Sequence, residues 1–459
     1  MRIVPVAKLG GLVAQHLGKR SEGAARAVPL VVASGNFATP VAALRVVDEV
    51  VETYRLFAIN AQRDLPVRAG VTCVTPFVGP GMRTQPSLEY LPCRLSLVPR
   101  LLSTTHRPDV VVLHTSVPVD GTVSLGTEVN ILPAAVEAAR ASGGLVIAQM
   151  NRLMPYTYGD GELSVDAVDL AFEVDVPLAS PSAAALGTAS DADAVRAAIG
   201  ERVAGLVPDG ATLQLGIGAV PDATLAALAG RRDLRIWTET FSDGVLALSR
   251  AGALDTHATL VTSFLFGSAE LYAWVDRNPR VRLLRTETVN DPATIAQRPA
   301  MTSINTALQV DLRAQANASY VRGRIYSGLG GQSDFVAGAL HARDGHAIIA
   351  LPSWHAKSGT STVVPALSEP TTSFQHSYVV SEHGVASLWG ETHQQQAHSI
   401  IRHVAHPAAR ETLTAWVTRW DATGATDAAG TPPGSAPPGN VPAAVPAARA
   451  RGSHLPDPA

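Results

Sequence analysis

Cysteine is almost absent. The 459-residue chain has two, Cys73 and Cys93, with no CxxC pair and no metal-type spacing. That excludes a disulfide scaffold and points to a reduced, cytoplasmic chain. An excess of either charge is also missing: 36 basic residues stand against 39 acidic ones, for a net charge of −3. Nothing there grips nucleic acid or an anionic membrane, so any phosphate must be held by local geometry. No apolar run approaches the roughly 18 residues that cross a bilayer. The N-terminal stretch has no continuous apolar segment and no cleavage-site pattern, which reads as an untargeted chain. Aromatic residues make up only 5%. The GxSxG elbow, the GxxxxGK[ST] phosphate loop and HExxH are all missing. His403 and His406 form an HxxH pair with no third ligand in view, so no metal site is assigned.

What is present is a 46% hydrophobic chain rich in Ala, Gly and Val, long enough for two ordinary domains. Short β-branched runs at 30–33, 109–113 and 144–148 alternate with helical stretches at 42–51 and 133–140. The pattern restarts with a helix at 191–200, a strand at 211–215 and a helix at 221–228. Further strands are expected at 234–238, 259–263, 281–285, 347–351 and 377–380. Continuous apolar strands between helices indicate an α/β fold with mostly parallel open sheets covered on both faces. Linker and cap residues near 180–192 divide the chain into 1–185 and 186–423. The remainder, 424–459, is dense in Pro, Gly and Ala and has no aromatic residue. It is expected to be disordered.

Three loops carry candidate chemistry. In LQLGIGAVPDA, 213–223, a strand ends at Gly216. Gly216 and Gly218 free the backbone for a tight turn, and Pro221 and Asp222 open a helix. Such a junction aims backbone N–H groups at an anion. Pro221 takes the place of the third glycine of GxGxxG, so this is no dinucleotide fingerprint. The second loop, SGLGGQSDF at 327–335, places Gly328, Gly330 and Gly331 where something approaches the backbone closely. Lys357-Ser358-Gly359 forms a third, with a lysine within reach of a phosphate. Glu239 stands apart from these loops. It follows a short buried run, at the carboxyl end of a strand, where α/β sheets place catalytic groups. Ser242 and Asp243 already supply the cap of the next helix, so Glu239 is not needed for that. An unperturbed glutamate, with a pKa of about 4.3, is ionised at neutral pH and acts as a nucleophile without a separate base.

Taken together, the segments resemble the acetyl-CoA hydrolase/transferase family, the family I CoA-transferases of the 4-hydroxybutyrate and succinyl-CoA:acetate type. The likeness covers roughly residues 30–415. It is carried in the first half by 71–83, HTSVPVDGTVSLGTEVN (114–130) and 146–169. The second half adds LQLGIGAVPDA, TETFSDGVLAL, SINTALQVDLRAQ (303–315), SGLGGQSDFVAGA, 348–365 and YVVSEHGVASLWG (378–390).

The resemblance implies two tandem CoA-transferase domains with the active site between them, and a homodimer or higher oligomer. It implies acyl-CoA and a small carboxylic acid as substrates, with no permanently bound cofactor. The nucleophile falls on Glu239, which would carry a glutamyl-CoA thioester. Coenzyme A would be contacted by Gln214, Leu215, Gly216, Ile217 and Gly218 and by Gly330, Gly331 and Gln332, while the expected Lys357 contact with its phosphates comes from the residue type alone. Asn305 and the backbone of Gly359 would stabilise the oxyanion. Three readings follow: a CoA-transferase, an acyl-CoA hydrolase on the same scaffold, or a non-catalytic CoA-binding protein. The chain departs from the family at Thr240, at Gln309 (often Glu) and at Ala314 (often Gly). Thr362, Ser373 and Trp389 stand where arginines are expected, and none of the three can replace a bidentate arginine contact.

Overall fold

The computed structural model describes residues 1–21, 28–62, 64–181, 191–371, 373 and 375–422. Most of the expected linker and the whole tail from 424 lie outside these residues. Residues 1–417 form one compact unit.

The apolar runs of the first half build an eight-stranded sheet in which every pairing is parallel. Its order is Arg2–Ile3, Leu170–Val174, Leu145–Asn151, Val110–Thr115, Leu30–Ala33, Tyr54–Phe57, Val71–Thr75, Leu88–Tyr90. The runs are continuously apolar because both faces are covered. Leu30, Val32, Val111 and Leu113 point into one core, and Val31, Ala33, Val110 and Val112 into the other. Alternate residues of a strand face opposite sides, so two cores require an unbroken apolar run. The helix Val41–Val50 buries Ala43, Leu44 and Val47 in the second core, and Leu132–Ser142 closes at Gly143 with φ 73°.

The second half builds a six-stranded sheet in the order Arg235–Ile236, Thr212–Leu215, Thr302–Asn305, His346–Ala350, Tyr378–Ser381, Gly384–Ser387. It is parallel except for the last hairpin. The strands expected at 259–263 and 281–285 form, but not in this sheet. Leu260–Thr262 pairs with Val281–Leu283, and Val281–Leu283 pairs in turn with Tyr158–Gly159 from the first half. Gly159, with φ 121°, lies so close to Leu283 that a side chain there would strike the Leu283 backbone. Further bonds join the halves: Val129 N–H to Ser263 O, Leu265 N–H to Thr127 O, and Thr286 N–H to Asn130 O. Phe37 stacks on Phe266 at 3.6 Å. One core cluster accordingly runs from Leu113 and Ile131 to Phe241, Leu283 and Ile304. Among the described residues, no helix is long and apolar enough to cross a membrane.

Candidate active site

The strand that delivers Glu239 is short. Arg235–Ile236 leaves the second sheet, Trp237 bridges to Val261, and Thr240–Phe241 pairs with Phe264–Leu265. Between them the Glu239 carbonyl accepts three bonds, from Ser263 N–H, Phe264 N–H and Thr262 Oγ1, each at 3.0 Å. With its backbone pinned this way, only the side chain has freedom. The helix Asp243–Arg250 follows at once. Ser242 caps it by accepting from Gly244 N–H, and the Asp243 carboxylate is engaged by Ser268. The cap reading of Ser242 is therefore met, and Glu239 takes no part in it.

The Glu239 carboxylate lines a cavity of about 340 Å³ walled by both halves of the chain, and it is the only charged side chain among the described lining residues. Asn290 Nδ2 donates to its Oε2 at 3.0 Å. Burial raises the Glu239 pKa to about 7. The Asn290 bond works against this, and the nearby Asp334 carboxylate adds to it. Asp334 is itself raised to about 6 by burial, with the Arg94 guanidinium 3.5 Å away. The free-glutamate value assumed from sequence is thus corrected: burial moves the Glu239 pKa up toward neutrality.

The first glycine loop reaches the cavity with four of its five expected residues, and Gly218 is not among the lining. Gln214, Leu215, Gly216 and Ile217 line the cavity. A methyl group added at Gly216 would meet no atom within 4 Å. Gly218 is exposed, at φ 130°, ahead of the helix Ala219–Ala227, and Pro221 is the third residue of that helix rather than the first. The second loop differs. Gly330, Gly331 and Gln332 line the cavity, but the glycines touch protein. A methyl group at Gly331 would collide with Glu239 Oε2 and Asn290 Nδ2, and one at Gly330 would come within 3.0 Å of the Phe77 ring. The loop is tied to the first half through Val78 N–H to Ser327 O at 2.8 Å and Leu95 N–H to Gly330 O at 3.3 Å. Gln332 Nε2 is buried with no partner among the described residues.

Asn305 lies at the cavity, on the strand next to Gln214, and its amide is already engaged. Its Nδ2 donates to Gln214 Oε1 at 3.2 Å and to Ser303 Oγ at 2.8 Å. Lys357 and Gly359 are not brought to the cavity wall. Both are exposed in the turn of the hairpin Trp354–His355 and Thr360–Ser361, and the Gly359 N–H is bonded to His355 O. The positions without their expected arginines are also away from it. Thr362 is buried and donates to Pro352 O at 2.6 Å, Ser373 is exposed, and Trp389 is 62% exposed. Ala314, where relatives often carry glycine, has φ 59°. Sequence reasoning missed Asn290. It follows the short helix Thr286–Val289, 51 residues from Glu239, and no local pattern marks it.

Residues 267–417 match the acetyl-CoA hydrolase/transferase C-terminal domain. Over 337 residues the chain is 38% identical to a 4-hydroxybutyrate coenzyme A transferase of Clostridium kluyveri, covering 71% of this chain and 76% of that one. The chain belongs to the acetyl-CoA hydrolase/transferase family. It is also 36% identical to a succinyl-CoA:acetate/propanoyl-CoA:succinate CoA transferase of Fasciola hepatica, over 71% of this chain and 69% of the relative. A solved 4-hydroxybutyrate CoA-transferase from Porphyromonas gingivalis superposes with TM-score 0.72 at 30% identity, over 91% of this chain and 98% of that one. The expected fold class is therefore observed, in a family of enzymes.

Proposed function

We propose that the chain is a CoA-transferase, moving CoA from an acyl-CoA to a small carboxylic acid, with Glu239 as the nucleophile. The observation that carries this reading is a lone carboxylate in the cavity, with a fixed backbone and one oxygen held by Asn290. The other oxygen, Oε1, is left to attack the thioester carbonyl. The C–S bond breaks, CoA leaves as thiolate, and an acyl-glutamyl anhydride remains. The thiolate then attacks the glutamyl carbonyl, releasing the donor acid as its carboxylate and leaving a glutamyl-CoA thioester. The acceptor carboxylate runs the same two steps in reverse, and no proton is gained or lost overall. Each addition places negative charge on a carbonyl oxygen. Gln332 Nε2 is the unspent side-chain donor at the cavity, whereas Asn305 must give up a bond to Gln214 or Ser303 before it serves.

The Gly216 loop, open on its ligand side, is where the thiol arm of CoA approaches. The reading includes two CoA-transferase-like domains, 1–185 and 186–423, a cytoplasmic location and a homodimer, the last checked by light scattering. The test of function is transfer from acetyl-CoA. A rate that depends on added carboxylate and is lost in Glu239→Ala supports the reading. A rate indifferent to carboxylate makes the enzyme a hydrolase instead.

A further inference from the structure

The cavity wall from the first half carries an amide chain that the transfer chemistry does not use. Asn36 and Asn60 follow the parallel strands Leu30–Ala33 and Tyr54–Phe57, both line the cavity, and both adopt positive φ, 36° and 51°. Asparagine tolerates that conformation better than most residues. Behind them is Glu128, fully buried. Its Oε1 accepts from Gly35 N–H at 3.1 Å, Asn36 Nδ2 at 3.0 Å and Asn130 Nδ2 at 2.9 Å.

A carboxylate oxygen bonded to three N–H groups fixes the Asn36 amide with its nitrogen inward. Asn36 Oδ1 in turn accepts from Asn60 Nδ2 at 2.9 Å. The orientation of Asn60 is therefore set as well, leaving its Oδ1 and its second N–H as a neutral donor–acceptor pair. No arginine, lysine or histidine is among the described lining residues. A second carboxylate on a bound acyl chain would have no cation to pair with and would share a small cavity with Glu239.

We propose that the cavity selects short, uncharged acyl groups and discriminates against acyl groups with a distal carboxylate, with Asn60 as the specificity-determining residue. This rests on the transferase reading. An unpaired charge in a desolvated site is strongly disfavoured, and a site built for a hydrogen-bonding neutral group rejects what it cannot pair.

Butyryl-, 4-hydroxybutyryl- and succinyl-CoA have four-carbon acyl groups that differ at the distal end. With acetate as acceptor, kcat/KM for the first two is expected to exceed that for succinyl-CoA by about a hundredfold or more. Equal or better use of succinyl-CoA overturns the proposal while leaving the transferase reading intact. No turnover with any of the three removes both. Asn60→Arg supplies the missing cation and should raise the succinyl-to-butyryl ratio at least about tenfold. An unchanged ratio in folded Asn60→Arg protein overturns the role of Asn60.

Discussion

The two glycine loops look alike in sequence and do different work. At Gly216 an added methyl group meets nothing, so the missing side chain leaves room for something from outside. At Gly331 the space is already taken, by Glu239 and Asn290, and at Gly330 by Phe77. The first loop leaves a volume that no described residue fills, and the second leaves room for the Glu239 carboxylate. Glycine density alone does not separate these cases, because both need a backbone without a Cβ. What separates them is which atoms occupy the volume.

The comparison is broken most severely at Gly331. Gly331→Ala should push the Glu239 carboxylate off its position. Displacement by about an ångström costs on the order of a hundredfold in kcat, with the KM for acyl-CoA much less affected. A variant with normal kcat would mean that Gly331 is not shaped around the glutamate. Gly216→Val should do the reverse. Its φ is ordinary and its surroundings empty, so the fold and melting temperature stay as they are. The affinity for CoA, read by calorimetry, should fall about tenfold, an energy near that of a couple of crowded methyl groups. Undiminished affinity would remove the ligand from this loop.

Two pH profiles sharpen the account of Glu239. The attacking form is the carboxylate and the pKa is raised to about 7, so kcat/KM should rise with pH and reach half its plateau near 7. Asn290→Ala removes the bond that favours the charged form, so the midpoint should move upward. A midpoint that stays put would free Asn290 from this role. Stability runs the opposite way. Burial also raises Glu128 to about 7, from a reference value of 4.5. The folded state holds these protons more tightly than the unfolded chain. Their contribution is therefore full below about pH 4.5 and lost as pH climbs through 7. For fully buried Glu128 that loss is on the order of 3 kcal/mol by about pH 8. Denaturant midpoints that fail to fall over this window would contradict the burial argument.

The smallest effect is at Ala314, the converse of the glycine loops: a Cβ where φ is 59°. Ala314→Gly should be neutral to stabilising by up to about 1 kcal/mol, since relief of left-handed strain is partly offset by unfolded-chain entropy. Clear destabilisation in urea would show that the Cβ packs favourably.

The first sheet was legible where both faces are buried, because unbroken runs such as 110–113 admit few other readings. Thr302–Asn305 was not legible as a strand. Its Ser303 and Asn305 side chains bond to Gln214 inside the sheet, and polar letters hide a central strand. Glu239 was legible from its place at a strand end, and its environment was not. Its pKa is raised by burial, lowered by the Asn290 bond and raised again by Asp334, and those two residues are 51 and 95 positions away in sequence. Gly331 was legible as a constraint, and its packing against Glu239 and Asn290 was not. Lys357 was read from its residue type and Gly359 from the resemblance, and the structure places both in a hairpin turn that does not line the cavity.

The central claim is that Glu239 carries the CoA. Incubation with acetyl-CoA, followed by intact-mass measurement and peptide mapping, tests it most directly. The account predicts a CoA adduct on residues 238–244, removed by hydroxylamine and absent from Glu239→Ala. Full transfer activity in Glu239→Ala, or an adduct on another residue, would contradict it.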